Sequence, residues 1–249
     1  MEENRIDPTI AYDVIELPSR GIHYENKKKS LKVAYLTASD ENILASPNLN
    51  STNSVVTELL KRKILDKDLS VEDIVEEDKQ AILIFLRNTA FGSDYNMSTT
   101  DPKTDKEFTF SIDLSTLKIK DFMLSENENG EYSYHLEKSN HTVTFKFLTK
   151  KQEEEIEKIR ESWNGVGVAP IMTKQLEFMI RSINGNKDPM QIRNFIEKMP
   201  IKDSQDFRKF VKDNKPGLDL TQTVTTPSGD EIQVNIGFGV EFFRPFYGI

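Results

Sequence analysis

Three histidines, His23, His135 and His141, are the only side chains whose ordinary pKa lies near neutrality, and the chain has no cysteine. The missing thiols exclude disulfides, thiolate nucleophiles, zinc–thiolate sites and iron–sulfur clusters. His135 and His141 flank one predicted hairpin, and they reach metal-binding distance only if its register sets them opposite each other. No carboxylate in those strands clearly converges on them, so they read as ordinary hairpin positions and no metal is expected. The segment from Asp66 to Glu77 carries oxygens at the spacing of a calcium loop. Val71, however, stands where such a loop needs glycine, and Asp73 stands where it needs an apolar residue, so an acidic helix start is the better reading. No Gly-x-Ser-x-Gly elbow occurs. The connector Asn164-Gly165-Val166-Gly167-Val168-Ala169-Pro170 lacks the Lys and Ser/Thr of a phosphate loop and the third glycine of a dinucleotide loop. No cofactor and no enzymatic activity are expected; the enzymatic alternative is a hydrolase built on His135, His141 and an unidentified carboxylate.

The elements that would position these residues follow from hydrophobic periodicity. Alternation around Val14, Ile15 and Leu17, a turn at Pro18-Ser19-Arg20-Gly21 and a second run from Leu31 to Leu36 predict two strands. Val55, Val56, Leu59, Leu60 and Ile64 recur at helical spacing. A second helix is predicted from a weak capping signal, Ser70 with Asp73, through the apolar run Ala81 to Leu86, which implies burial on more than one side, to a stop at Gly92. Strand grammar returns at Phe108–Ile112, Tyr132–Leu136 and Thr142–Phe147, the last two forming a hairpin through Lys138-Ser139-Asn140. A capping box, Thr149 with Gln152, opens a charged helix running to Trp163. Pro170 starts a helix through Ile183 that Asn184-Gly185 closes, Asp188-Pro189 opens another, and Ser204 caps a fourth. The stretch from Gln222 to Phe246 is extended, with a turn at Pro227-Ser228-Gly229-Asp230. The run Thr100 to Ile112 echoes Thr225 to Ile236: each has a strand end, a proline turn, an acidic residue and an alternating strand.

These elements define an α+β protein in which antiparallel β modules, N-terminal, central and C-terminal, are joined by helical blocks. The expected segments are 1–50 (β), 51–92 (helical), 93–148 (β), 149–215 (helical) and 216–249 (β hairpin and aromatic tail). With 249 residues, 37% of them hydrophobic and 30% charged, the chain is long and apolar enough to build real cores. A formal net charge of −8 argues against general nucleic-acid affinity. The basic run Lys27-Lys28-Lys29 reads as a solvated hairpin edge. The charged first residues and the absence of a long apolar run predict neither a signal peptide nor a membrane span.

The densest aromatic stretch runs from Ile236 to Tyr247, and two readings stay open for it: a strand packed on its own core, or a patch facing a partner. Aromatic and arginine side chains are the usual anchors of interfaces. The candidate partner-binding residues are therefore Phe238, Phe242, Phe243, Arg244 and Phe246, followed by Arg20, His23 and Tyr24 of the N-terminal turn.

Three stretches together carry a family resemblance: Leu17-Pro18-Ser19-Arg20-Gly21-Ile22-His23-Tyr24, then Tyr35 to Pro47, and the closing Gly239-Val240-Glu241-Phe242-Phe243-Arg244-Pro245. In order and spacing they resemble the baseplate hub and hub-assembly proteins of T-even-type contractile-tailed phages, and Arg87 with Phe91-Gly92 keeps a further feature of that pattern. Relatives often carry paired cysteines in the two proline-containing hairpins; here those places hold Thr100 to Asp105 and Thr226 to Gly229. The resemblance implies a non-enzymatic late protein, an assembly chaperone that binds baseplate hub subunits or the tape-measure protein in the host cytoplasm. A permanent subunit of the virion baseplate is the alternative. Homo-oligomerisation is left open.

Overall fold

A computed structural model describes residues 9–44, 52–164, 167–238 and 240–243. The fold is α+β, with small antiparallel sheets between helices, as the periodicity implies. The chain groups into two compact units whose bounds cut across the segments 1–50 and 93–148. The first comprises residues 1–21, 28–120 and 217–249; the second comprises 22–27 and 121–216.

In the first unit, β1 (Tyr12–Glu16) pairs antiparallel with β2 (Ser30–Ala34). Helix α1 (Ala38–Leu44) and helix α2 (Thr52–Lys63) follow. A single 3-10 turn, Val71–Asp73, then leads to α3 (Glu76–Phe91). In α3 the consecutive residues Ile82, Leu83 and Ile84 are all buried, together with Leu86. At about 100° per residue such a run faces several directions, so the helix is enclosed on more than one side, as its apolar run requires. Gly92 ends it with φ of 84° and an N–H bonded to the Asn88 carbonyl, a conformation glycine adopts without steric cost.

Two hairpins complete this unit, β3 (Asp94–Asp101) with β4 (Lys106–Asp113) and β8 (Thr221–Thr225) with β9 (Glu231–Asn235). Between them the chain leaves at Lys120 and returns at Gly217. Lys120 N–H donates to the Gly217 carbonyl at 2.8 Å, and Asp219 N–H donates to that of Lys118 at 2.9 Å. A Cβ on Gly217 would stand 3.1 Å from Cγ of Glu77, so close approach rather than backbone conformation favours glycine there.

The second unit is organised around a three-stranded sheet, β5 (Tyr132–Leu136), β6 (His141–Phe145) and β7 (Ile180–Ile183), in that order. One face supplies Tyr132, Leu136, Val143 and Phe145 to a core shared with Leu176 of α5 (Ile171–Met179), Ile192 and Ile196 of α6 (Pro189–Lys198), and Phe207 of α7 (Ile201–Asp213). The other face exposes Ser133, His135 and Thr142, the alternation of a half-covered antiparallel sheet. Helix α4 (Lys150–Ser162) opens on the expected capping box, with Thr149 and Gln152 each bonding the other's backbone. Asp188 caps α6, with Pro189 at its first position.

Several expectations are corrected. The helix beginning after Pro170 stops at Met179, and Ile180–Ile183 instead pairs with β6. The spacing Leu176, Met179, Ile180, Ile183 fits a helix face, but the outer backbone groups of Val143 to Phe145 need a ladder, and β-branched isoleucines suit it. Ser70 precedes only the 3-10 turn, and its hydroxyl bonds Glu72 rather than capping α3. Ser204 lies inside α7, which starts after Pro200. The strand β3 went unpredicted because Asp94–Asp101 is mostly polar; its alternating Tyr95, Met97 and Thr99 become legible opposite Ile112, Phe110 and Phe108. Among the described residues after Asn235 there is no strand, and Val240–Phe243 forms a 3-10 turn.

Candidate protein interaction surface

The histidines do not converge. His135 pairs with Thr142 and His141 with Leu136, so adjacent cross-strand pairs send the two rings to opposite faces. His141 Nδ1 bonds the Ser139 carbonyl and its ring packs 4.9 Å from that of Phe195. Among the described residues no group of three or more His, Asp or Glu is placed to hold a metal ion. The two carboxylates of the calcium-like stretch that lie nearest β2, Asp66 and Asp68, instead take the Lys28 ammonium, each at 2.8 Å, and Asp66 also accepts the Lys32 N–H at 2.6 Å. The middle lysine of the basic run is therefore clamped rather than solvated.

Of the N-terminal candidates, only Arg20 is plainly exposed. The turn that carries it is anchored from below: Ser19, fully buried, donates its N–H at 2.8 Å and its hydroxyl at 2.6 Å to the equally buried carboxylate of Asp78 in the first turn of α3. Arg20 and Gly21 both take positive φ, 55° and 75°, which presents the arginine at the tip. Within the second unit, Tyr24 is buried, and His23 is half-buried with Nδ1 2.9 Å from the Leu148 carbonyl and its ring against Phe147. These two are packing residues, a correction to their expected role as contacts.

The C-terminal aromatics resolve in the same direction. Phe242 is 0% exposed and Phe243 is buried, while Phe238 is half-buried with its ring 4.9 Å from that of Phe242. Arg244 and Phe246 lie outside the described residues. The Phe242 ring meets Tyr95 at 5.2 Å, and the guanidinium of Arg87 stands 5.0 Å from the Tyr95 ring and 5.6 Å from that of Phe242, within cation–π range. Arg87 also donates to the carbonyls of Gly92 at 2.6 Å and Asp94 at 3.0 Å. Burial pulls its pKa below the ordinary arginine value, yet a guanidinium stays charged throughout the accessible pH range. One buried cation thus closes α3, starts β3 and seats the C-terminal aromatics. The self-packing reading holds for Phe242 and Phe243, which are withdrawn as partner contacts.

The two echoed hairpins meet at their proline turns. Asp101, 1% exposed, accepts the N–H of Lys103 at 2.9 Å and both the N–H (3.1 Å) and the hydroxyl (2.9 Å) of Ser228. Lys103 Nζ reaches Asp230 at 2.6 Å. Burial opposes the Asp101 charge, but the Lys103 N–H, the Ser228 hydroxyl and the Ser228 N–H outweigh it and hold the carboxyl below its ordinary pKa. A depressed folded-state value contributes stability that is present above the unfolded range, about 3.9, and lost as pH falls through the folded value. Asp101→Asn replaces an acceptor of three donors with a group that brings its own N–H donors. The variant is expected to melt at lower temperature at neutral pH and to lose less on acidification, read by circular dichroism melts from about pH 6 to about pH 2.

Other acids serve similarly. Asp40, buried in α1, pairs with Lys63 and accepts the Thr37 N–H at 2.7 Å and hydroxyl at 2.8 Å. Asp203 accepts the N–H groups of Lys138 at 2.9 Å and Ser139 at 2.8 Å, fixing the β5–β6 turn. The second unit has a cleft of about 350 Å³ lined by His141, Asn184, Asn186 and Gln191 among others. Its amides are engaged: Asn184 accepts the Thr142 N–H and Asn186 donates to Gln191.

What remains for recognition is exposed apolar surface: Ile10, Tyr12, Val14 and Ile119 on the first unit, and residues such as Met123, Val168, Met190 and Ile201 on the second. The β1 stripe was missed in sequence, although Ile10, Tyr12 and Val14 sit two apart. No described helix is long and apolar enough to cross a membrane.

The buried acids Asp78 and Asp101 are held in internal clamps, while apolar side chains stand exposed at the surface of each unit. The model of the T4 bacteriophage base plate protein family matches residues 15–244, and the chain belongs to that family. It is thus a baseplate-related phage protein. No curated protein and no solved structure matches it.

Proposed function

We propose that this baseplate protein is a non-enzymatic assembly factor: in the host cytoplasm it binds hub subunits or the tape-measure protein and holds them while the tail tip is built. One observation carries the reading. Buried acids at or facing the family-marking turns and hairpins are each held by a hydroxyl, Asp78 by Ser19, Asp40 by Thr37 and Asp101 by Ser228. A buried acid that already accepts hydrogen bonds from its neighbours is poorly placed to serve a reacting substrate. Binding to other baseplate proteins then falls to the exposed surface.

Co-expression with individual hub and tape-measure proteins, followed by size-exclusion chromatography, is expected to yield a co-eluting complex with at least one of them. Co-elution with none would remove the proposal. Mass spectrometry of purified mature particles separates an assembly factor, absent or sub-stoichiometric, from a permanent subunit present in fixed copy number.

A further inference from the structure

Strand β1 has one edge paired and one open. Its ladder to β2 runs through the odd-numbered residues: Leu17 N–H donates to the Lys29 carbonyl at 2.8 Å, the Tyr35 N–H donates to that of Ala11 at 3.2 Å, and Asp13 and Ile15 lie between them opposite Val33 and Leu31. Antiparallel pairing alternates the direction of the backbone groups, so Tyr12, Val14 and Glu16 point their N–H and C=O away from β2. The far edge of β2 is closed, because Lys32 accepts the Leu65 N–H at 2.9 Å and donates its own to Asp66. Among the described residues nothing closes β1.

The side chains on this edge are unusual for one left open. Val33 and Leu31 are buried beneath the hairpin, which sends the even positions to the outer face. There Val14 is 58% exposed, Ile10 40% and Tyr12 38%. Edge strands are ordinarily protected by lysine, proline or a bulge, and residues 10–16 contain no lysine or proline. Their acids are Asp13, which accepts the Tyr35 hydroxyl at 2.8 Å, and Glu16, which has no ion-pair partner among the described residues.

We propose that β1 is completed by an extended segment of a partner polypeptide, added as a further strand with apolar side chains over Tyr12 and Val14 and a basic residue opposite Glu16. This deepens the assembly-factor reading and rests on it for the identity of the partner. The backbone groups of Tyr12, Val14 and Glu16 offer a ladder to another strand, whose main chain supplies affinity while alternate side chains supply specificity. Charge selects against a second copy of the chain. In the antiparallel register centred on Val14, Glu16 would face Tyr12 and gain no cation, and each copy carries a formal net charge of −8.

The test uses the full chain and a blocked heptapeptide that alternates valine with lysine and threonine. Hydrogen exchange by NMR is expected to slow on the order of tenfold at the Tyr12, Val14 and Glu16 amides as each gains an acceptor, while Asp13 and Ile15, already paired, stay unchanged. A peptide with glutamate in place of lysine is expected to bind more weakly. Val14→Lys, a surface substitution that adds an edge-protecting charge, is expected to abolish the slowing and to retain the circular dichroism spectrum. No slowing at millimolar peptide, or equal binding of the glutamate peptide, would overturn the proposal. Slowing that grows with protein concentration alone would overturn it in favour of self-pairing. If the parent chain co-elutes with a hub protein and Val14→Lys does so equally, the edge proposal fails while the assembly reading stands. If the parent co-elutes with none, the assembly reading fails and the peptide experiment still decides the edge.

Discussion

Phe242→Ala is expected to destabilise the first unit by about 3–5 kcal/mol, the range for deleting a large aromatic from a packed core. The ring is fully buried and packs against those of Tyr95, Phe238 and Phe243, so its removal leaves a cavity that the close-packed surroundings fill only in part. It also strips one aromatic face from the Arg87 guanidinium, a buried cation whose remaining partners are carbonyls and the Tyr95 ring. Phe238→Ala, at a half-buried position, should cost about 1 kcal/mol. Urea titration followed by hydrogen-exchange mass spectrometry of peptides from α3 and β4 measures both. An interface role for Phe242 predicts the opposite pattern: unchanged stability and lost partner binding. The single tryptophan, Trp163, belongs to the second unit, so its fluorescence reports on that unit rather than on the core in question.

The contrast between Phe242 as anchor and Phe242 as contact shows where sequence reading stops. Alternation and aromatic density identified the C-terminal stretch as unusual, but which face an aromatic presents depends on what lies across from it. That partner, Tyr95, stands on a strand whose polar composition concealed it. Features encoded within a few residues were legible: the Thr149–Gln152 capping box, Asp188 before Pro189, the glycine stop at Gly92 and the Lys138-Ser139-Asn140 turn all stand as read. Features set by distant partners were not. Ile180–Ile183 carries a pattern that suits a helix face or a strand, and only the open side of β6 selects the strand. The echoed hairpins were visible as an echo, but nothing in either run says that Asp101 of one accepts Ser228 of the other across 127 residues.

The same limit governs the N-terminal turn, where the family-marking residues invited a contact reading and the structure makes most of them an anchor. Asp78→Ala is expected to destabilise the first unit by about 3 kcal/mol or more, as happens when one member of a buried, charge-assisted hydrogen-bonded set is removed. The carboxylate sits in the first turn of α3, where the helix dipole favours negative charge, and it accepts both donors of Ser19 from 59 residues away. Its loss strands the Ser19 N–H in a fully buried site. The Ser19 hydroxyl also accepts the Gly21 N–H at 3.2 Å, so the tip that presents Arg20 loosens as well. Ser19→Ala, which leaves the carboxylate its Ser19 N–H, should cost less, about 1.5–3 kcal/mol. The double variant should fall well short of the sum, because residues sharing one hydrogen-bond network couple by about 0.5–3 kcal/mol. Chemical denaturation of the four proteins closes the cycle. Strict additivity would mean that the two residues stabilise the fold independently, and that the turn is held by packing of Leu17 and Pro18 instead.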